Sequence, residues 1–199
     1  MDKPGGMVKP ELQALPYTPW PEGEPFPSDF TVLDLETTGL EPERDQIIEV
    51  ACVRVRKGTV VDEMQCLVQC DTPIPGPVQN LTGLTDEILV REGIPLSQAI
   101  DRLLTFLGND WIVGHYTAFD IRFLLAACAL LGREPPQMRA IDTVPISRQV
   151  LSDAVSNYRL ETVSRHLGLA EKQAHRALPD ALLTAVLYLK LNEILVSVN

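Results

Sequence analysis

The stretch FTVLDLETTGLEP, residues 30–42, decides the architecture. It opens with the apolar or β-branched run Phe30 to Leu33, sets Asp34 and Glu36 two residues apart, and turns at Thr37-Thr38-Gly39. Strand side chains alternate faces with period two, so both carboxylates point to the same side. Like charges held that close at the end of a buried strand need a counter-charge, and a hard cation such as Mg²⁺ supplies one through oxygen ligands. The spacing alone decides little, because 27 acids among 199 residues make acid-x-acid pairs common, and Glu22/Glu24, Glu41/Glu43 and Glu43/Asp45 are further examples. The buried strand beneath Asp34 and Glu36 sets that pair apart.

On the N-terminal side of this strand lie seven of the sixteen prolines, all within residues 1–28. LPYTPWPEGEPFP reads as an extended arm, with Tyr17, Trp20 and Phe26 available to pin it onto the domain or onto a partner. On the other side, QIIEVACVRVRKGTVVDEMQCLVQC reads as two strands turning at Lys57-Gly58. TPIPGPV reads as a loop. Helices follow from Thr85, which can cap the first, and over Pro95 to Leu107. WIVGH and MRAIDT read as short strands, separated by the helix TAFDIRFLLAACALLG, with further helices near 144–151, 158–167 and 177–196. Three strands followed by strand–helix alternation predict an α/β domain over residues 29–199 with a mixed sheet.

Composition agrees with a globular protein and excludes several classes. Apolar residues make up 45% and charged residues 22%, the apolar runs are too short or too interrupted to span a bilayer, and no basic-then-apolar signal opens the chain. A cytoplasmic protein with no membrane association is the expectation. The four cysteines are too sparse for a disulfide scaffold and read as reduced. The net charge of −10 is uneven: residues 1–110 carry 8 basic and 19 acidic side chains, residues 111–199 carry 9 and 8. An anionic partner meets less repulsion from the second half.

Two further acidic stations join Asp34 and Glu36. In GHYTAFDIRFL, residues 114–124, Asp120 falls in the first turn of a helix, where Thr117-x-x-Asp120 also fits a capping box. Taken alone, capping is the simpler account. In AHRALPDALLTAV, Pro179 belongs in a helix's first turn, which leaves His175 on the preceding loop and Asp180 in the opening turn. Without that break, five residues would place the two on nearly opposite faces of one helix. His166 lacks such company and reads as a helix-surface residue. Strand ends and helix starts gather along one edge of an α/β sheet, where ligands bind.

In order, DLETTG, GHYTAFDIRFL and HRALPDA resemble the three exonuclease motifs of the DnaQ-like, or DEDDh, family of 3′–5′ exonucleases, which includes the proofreading epsilon subunit of bacterial DNA polymerase III. The segments DQIIEVACVRV, LTGLTDEIL, AIDTVPISRQVL and NYRLETVSRHLGL occupy the expected places between them, so the resemblance covers about residues 29 to 195. It implies a ribonuclease-H-like fold with a mixed five-stranded sheet flanked by helices. It also implies that Asp34, Glu36, Asp120 and Asp180 bind two divalent ions, Mg²⁺ with Mn²⁺ able to substitute, and that His175 is the general base. The histidine five residues before the last acid matches the histidine branch of the family. Tyr116 departs from the asparagine that many relatives carry there.

The chemistry is consistent with that resemblance. Two divalent ions about 4 Å apart can stabilise both the attacking and the leaving oxygen of a phosphodiester. An imidazole, with a reference pKa of about 6.5, can take a proton from water at mildly alkaline pH. Thr37, Thr38 and Gly39 offer backbone N–H groups to the terminal nucleotide, His115 and Tyr116 are further candidate contacts, and Leu40 or Phe119 can stack on its base. Phe119 equally suits helix–sheet packing, and Arg122 and Arg176 are either phosphate contacts or solvated charges. The expected substrate is the 3′ end of DNA, with RNA or short oligonucleotides as the alternative and a DNA polymerase or replication protein as partner. Outside nucleases, an aspartate-nucleophile phosphatase would carry a second aspartate where Glu36 stands and a supporting lysine, for which residues 111–199 offer only Lys172 and Lys190. A non-catalytic nucleic-acid-binding or polymerase-associated module predicts a missing acid or histidine, and none is missing.

Overall fold

The computed structural model describes residues 16–198, so the first fifteen residues of the proline-rich arm lie outside it. Six strands form one mixed sheet: β1 (Thr18–Pro19), β2 (Phe30–Thr37), β3 (Ile47–Arg56), β4 (Thr59–Leu67), β5 (Ile112–Gly114) and β6 (Arg139–Asp142). Their order is β1-β6-β5-β2-β3-β4. β2, β3 and β4 pair antiparallel, whereas β2–β5, β5–β6 and β1–β6 are parallel. Seven α-helices and one 3₁₀ turn (Ser152–Ala154) complete the described chain: α1 (Gly76–Thr82), α2 (Asp86–Glu92), α3 (Leu96–Leu107), α4 (Ala118–Leu131), α5 (Thr143–Leu151), α6 (Leu160–His166) and α7 (Ala177–Val198).

Period two assigns each face of β2 to a different helical layer. Leu33 and Leu35 pack with Val50 and Cys52 of β3 against Ile100 and Leu103 of α3 and Ile121 and Leu124 of α4. Phe30 and Val32 pack with Val53 and Val55 against Ala181, Ala185, Tyr188 and Leu191 of α7. Tyr188 meets the Phe30 ring edge-on at 4.6 Å and donates from its hydroxyl to the Pro27 carbonyl at 3.1 Å. Asp34 and Glu36 continue the Phe30–Val32 face, so they meet the opening turn of α7.

The sheet has six strands where five were expected. The extra one is β1, inside the segment read as an arm: Thr18 N–H donates to the Met138 carbonyl at 2.9 Å, and Thr18 and Pro19 align with Arg139 and Ala140. An edge strand needs partners on one side only, which tolerates proline. Trp20 stacks edge-on against Trp111 at 4.6 Å and Phe26 against Tyr188 at 6.1 Å. The loop expected at TPIPGPV ends early, because α1 starts at Gly76 with proline in its first turn, where the missing N–H costs no helical bond. The β3–β4 turn falls at Lys57 and Gly58, both at positive φ (49° and 72°), which suits a tight hairpin. Among the described residues, no helix is long and apolar enough to cross a membrane.

Candidate active site

The three acidic stations converge at one end of the sheet. Asp34, Glu36 and Asp180 each offer a carboxylate oxygen, and these oxygens lie within 4.8 Å of one another. Asp120 approaches from the opposite helical layer. β5 pairs with β2 only at Thr31 and Val32, and beyond that point the Leu35 N–H donates to Asp120 Oδ1 at 3.0 Å. The short neighbouring strand explains the arrangement, because a side chain satisfies the backbone group that a longer ladder would have paired. Asp120 therefore sits beside Asp34 but outside the tight group of three.

The capping box expected at Thr117 does not form. Thr117 makes no side-chain cap; its hydroxyl donates to the Ile141 carbonyl at 3.2 Å. Gly114 leaves room for this, since a Cβ there would lie 2.8 Å from Thr117 Oγ1. Asp142, a residue the sequence analysis gave no role, does the capping. It accepts from Val144 N–H at 2.9 Å and from Tyr116 N–H at 3.1 Å, so one carboxylate ties the start of α5 to the turn before α4.

Burial and mutual repulsion dominate the electrostatics of the cluster. Burial, reinforced by Asp120 and Glu36, holds the Asp34 carboxyl well above the usual range. Burial and the nearby Asp180 push Glu36 up to about 7. Burial raises Asp120 and Asp180 as well, although both accept backbone hydrogen bonds. Closely spaced carboxylates in low dielectric resist ionising together, and a hard divalent ion with oxygen ligands removes that conflict. The donor set is all carboxylate, which suits Mg²⁺ or Mn²⁺.

His175 stands next to the cluster on the loop before α7, in a left-handed conformation with φ 52°. Asp180 gathers that loop by accepting from Gln173 Nε2 at 2.8 Å, from Ala174 N–H at 3.2 Å and from the His175 backbone N–H. Arg176, a candidate phosphate contact, turns inward and pairs with Glu49 of β3 at 2.8 Å. Glu49 escaped the sequence analysis, although an acid inside the otherwise apolar run IIEVACV is a visible signal.

The remaining candidates divide into exposed and internal groups. Leu40 is 77% exposed, and it lines a cleft of about 390 Å³ together with Phe119, Arg122 and Phe123. Phe119 also packs on Phe123 at 4.9 Å, so both roles open to it in the sequence are compatible. Tyr116 is exposed, at φ 63°, with its ring edge-on to His115. His115 engages both ring nitrogens internally, with Thr143 Oγ1 at 2.8 Å and the Tyr158 carbonyl at 2.7 Å, and burial lowers it to about 4. Thr38 is tied to Gln46 by two bonds of 2.9 Å, and the Thr37 hydroxyl donates to the Gly39 carbonyl at 2.6 Å. A Cβ at Gly39 would lie 2.4 Å from Asp45 Oδ2, displacing the carboxylate that accepts from Glu41 N–H.

Comparison with known proteins places this geometry. The exonuclease family named for ribonuclease T matches residues 31–188. The chain is 35% identical over 191 residues to a PolC-type DNA polymerase III of Thermotoga petrophila, covering 94% of this chain and 13% of that protein. It thus spans only a small part of the PolC-type polymerases it matches. It is 31% identical over 164 residues to the DNA polymerase III epsilon subunit of Aquifex aeolicus, covering 82% of this chain and 80% of that subunit. Two solved structures share the fold. Exonuclease X in complex with 5′ overhanging duplex DNA has a TM-score of 0.65 at 24% identity, covering 82% of this chain and 90% of that one. Exonuclease I of E. coli with a dT13 oligonucleotide has a TM-score of 0.72 at 18% identity, covering 81% and 40%. The chain belongs to the exonuclease family, in the DnaQ-like group whose three motifs it carries.

Proposed function

We propose that the chain hydrolyses the 3′-terminal phosphodiester of DNA, releasing one nucleotide at a time, with divalent ions held by Asp34, Glu36, Asp120 and Asp180. The observation that carries this reading is the trio of carboxylates within 4.8 Å of one another, one of which, Asp180, interacts with His175. When bound, divalent ions stabilise charge on the attacking and leaving oxygens and favour ionisation of water. His175 takes a proton from the attacking water as the water's oxygen bonds to phosphorus and the bond from phosphorus to the 3′ oxygen breaks. The leaving oxygen is protonated from solvent, to which the imidazole returns its proton. Leu40 and Phe119 receive the terminal base in the cleft they share with Arg122, and the Gly39 N–H of the turn orients the terminal sugar and phosphate, because the Thr38 N–H is already held by the Gln46 carbonyl. Tyr116, exposed at the same edge, contacts the strand where many relatives carry asparagine. His115 braces the site from within, since both ring nitrogens already have partners.

DNA is favoured as substrate by the matches to DNA polymerase III proteins and by the DNA bound to exonucleases of the same fold. The same relatives support work beside a polymerase, which would supply basic surface next to this acidic chain. The test is turnover of 3′-labelled single-stranded DNA, mismatched duplex and RNA by the wild type and by His175→Ala. Loss of a positioned general base costs about 10²- to 10⁴-fold in rate. His175→Ala should lose that much while retaining Mn²⁺ binding. Full activity in His175→Ala would remove the base, and preference for RNA would reassign the substrate.

A further inference from the structure

Glu49 is fully buried, and its cross-strand partner in the β2–β3 ladder is Glu36. Two carboxylates facing each other across a ladder repel, so a buried acid at this position requires compensation. Glu49 has it four times over. Arg176 donates from Nε to Oε2 at 3.0 Å and from Nη2 to Oε1 at 2.8 Å, and Gln65 Nε2 donates to Oε1 at 2.7 Å. The fourth donor is the Ala177 N–H, at 3.1 Å from Oε2, which caps the first turn of α7. These bonds outweigh burial and hold the Glu49 carboxyl below its usual range.

Three of those four donors belong to the two residues that follow His175. The residues before it are held by a different carboxylate, because Asp180 takes Gln173 Nε2, Ala174 N–H and the His175 N–H. His175 is thus the pivot between two staples. Its φ of 52° is unfavourable for a residue with a Cβ and persists only where the surroundings enforce it. The bidentate Arg176–Glu49 pair is the part of that enforcement with fixed direction, since two parallel N–H···O bonds leave the guanidinium little freedom to turn.

We propose that Glu49 and Arg176 are positioning residues, which hold the His175 imidazole at the carboxylate cluster and touch neither substrate nor water themselves. Arg176 acts through the loop rather than on a phosphate. The inference rests on the reading of His175 as the base, and one of its readouts is independent of that reading. It predicts that lysine cannot replace Arg176, because a single ammonium lacks the planar fork that fixes the loop.

The test uses the full chain with Glu49→Gln and Arg176→Lys, each alone and combined with His175→Ala. Steady-state kinetics on 3′-labelled single-stranded DNA are read with Mn²⁺ affinity, melting temperature and the Mn²⁺-induced relaxation of the His175 ring protons. Each single variant should lower kcat by about 10- to 100-fold, the usual cost of losing an outer partner of a metal site. KM and Mn²⁺ affinity should hold, His175 relaxation should weaken, and neither variant should add to the loss in His175→Ala. Unchanged relaxation, a further loss in the His175→Ala background, or an effect of Arg176→Lys confined to KM would each overturn the proposal. Should Glu49→Gln fail to fold, the half-exposed Arg176→Lys decides alone. Should His175→Ala keep full activity, the base assignment fails and the relaxation measurement still judges the positioning.

Discussion

Glu36, in the proposed site, sits at the expense of the fold. Its folded-state pKa, about 7, lies above the ordinary 4.5, first through burial and then through Asp180. A carboxyl raised in this way favours the folded state at acid pH, and that contribution is lost as pH climbs from about 4.5 to about 7. His115 runs the other way, since a value lowered from 6.5 to about 4 adds stability as pH rises through that range. Comparing variants at each pH isolates the carboxyl. Metal-free Glu36→Gln should melt close to the wild type near pH 5 and clearly above it near pH 8, because the amide mimics the protonated acid. A difference in melting temperature that stays constant with pH would show that Glu36 carries no such strain. Calorimetry in buffers of different ionisation enthalpy should also show protons leaving the wild type as Mn²⁺ binds near pH 7.

Elements were legible in the sequence wherever one periodicity governed them. The β2 strand, the Lys57-Gly58 hairpin and the break before α7 at Pro179 follow from alternation and turn chemistry alone. The acids were legible because strand ends and helix starts place them. What escaped is what depends on a neighbour: β1 exists because β6 offers an edge, and Asp120 turns to Leu35 because β5 stops early. Glu49 gains its purpose from Arg176, 127 residues away. The arm provides an element-scale test. Trp20 packs on Trp111 at the start of β5, whereas the acids lie beyond the other end of that strand. Trp20→Ala should cost about 1 to 3 kcal/mol of stability through lost apolar burial, with kcat/KM unchanged. Loss of kcat/KM in a variant that stays folded would place the arm in the site.

Across the whole molecule, the fold interleaves the strongly acidic first half of the chain with the nearly balanced second half. β6 and β5 lie between β1 and β2, and α7 packs over β2 and β3. A net charge of −10 leaves little attraction for a polyanion beyond the few groups near the site. Single-stranded DNA should bind the isolated chain weakly, with a log–log salt slope no steeper than about −2, as for two or three phosphates contacted. Tight binding with a much steeper salt slope would contradict this picture and point to an unrecognised basic surface.

The most direct measurement follows a 5′-labelled and a 3′-labelled DNA strand with Mg²⁺ and with chelator. Stepwise shortening from the 3′ end, with release of mononucleotides that stops on chelation and resumes with added Mg²⁺, is the expected result. Release that continues in chelator, or cleavage that starts at the 5′ end or within the strand, would contradict a metal-dependent 3′–5′ exonuclease built on Asp34, Glu36, Asp120, Asp180 and His175.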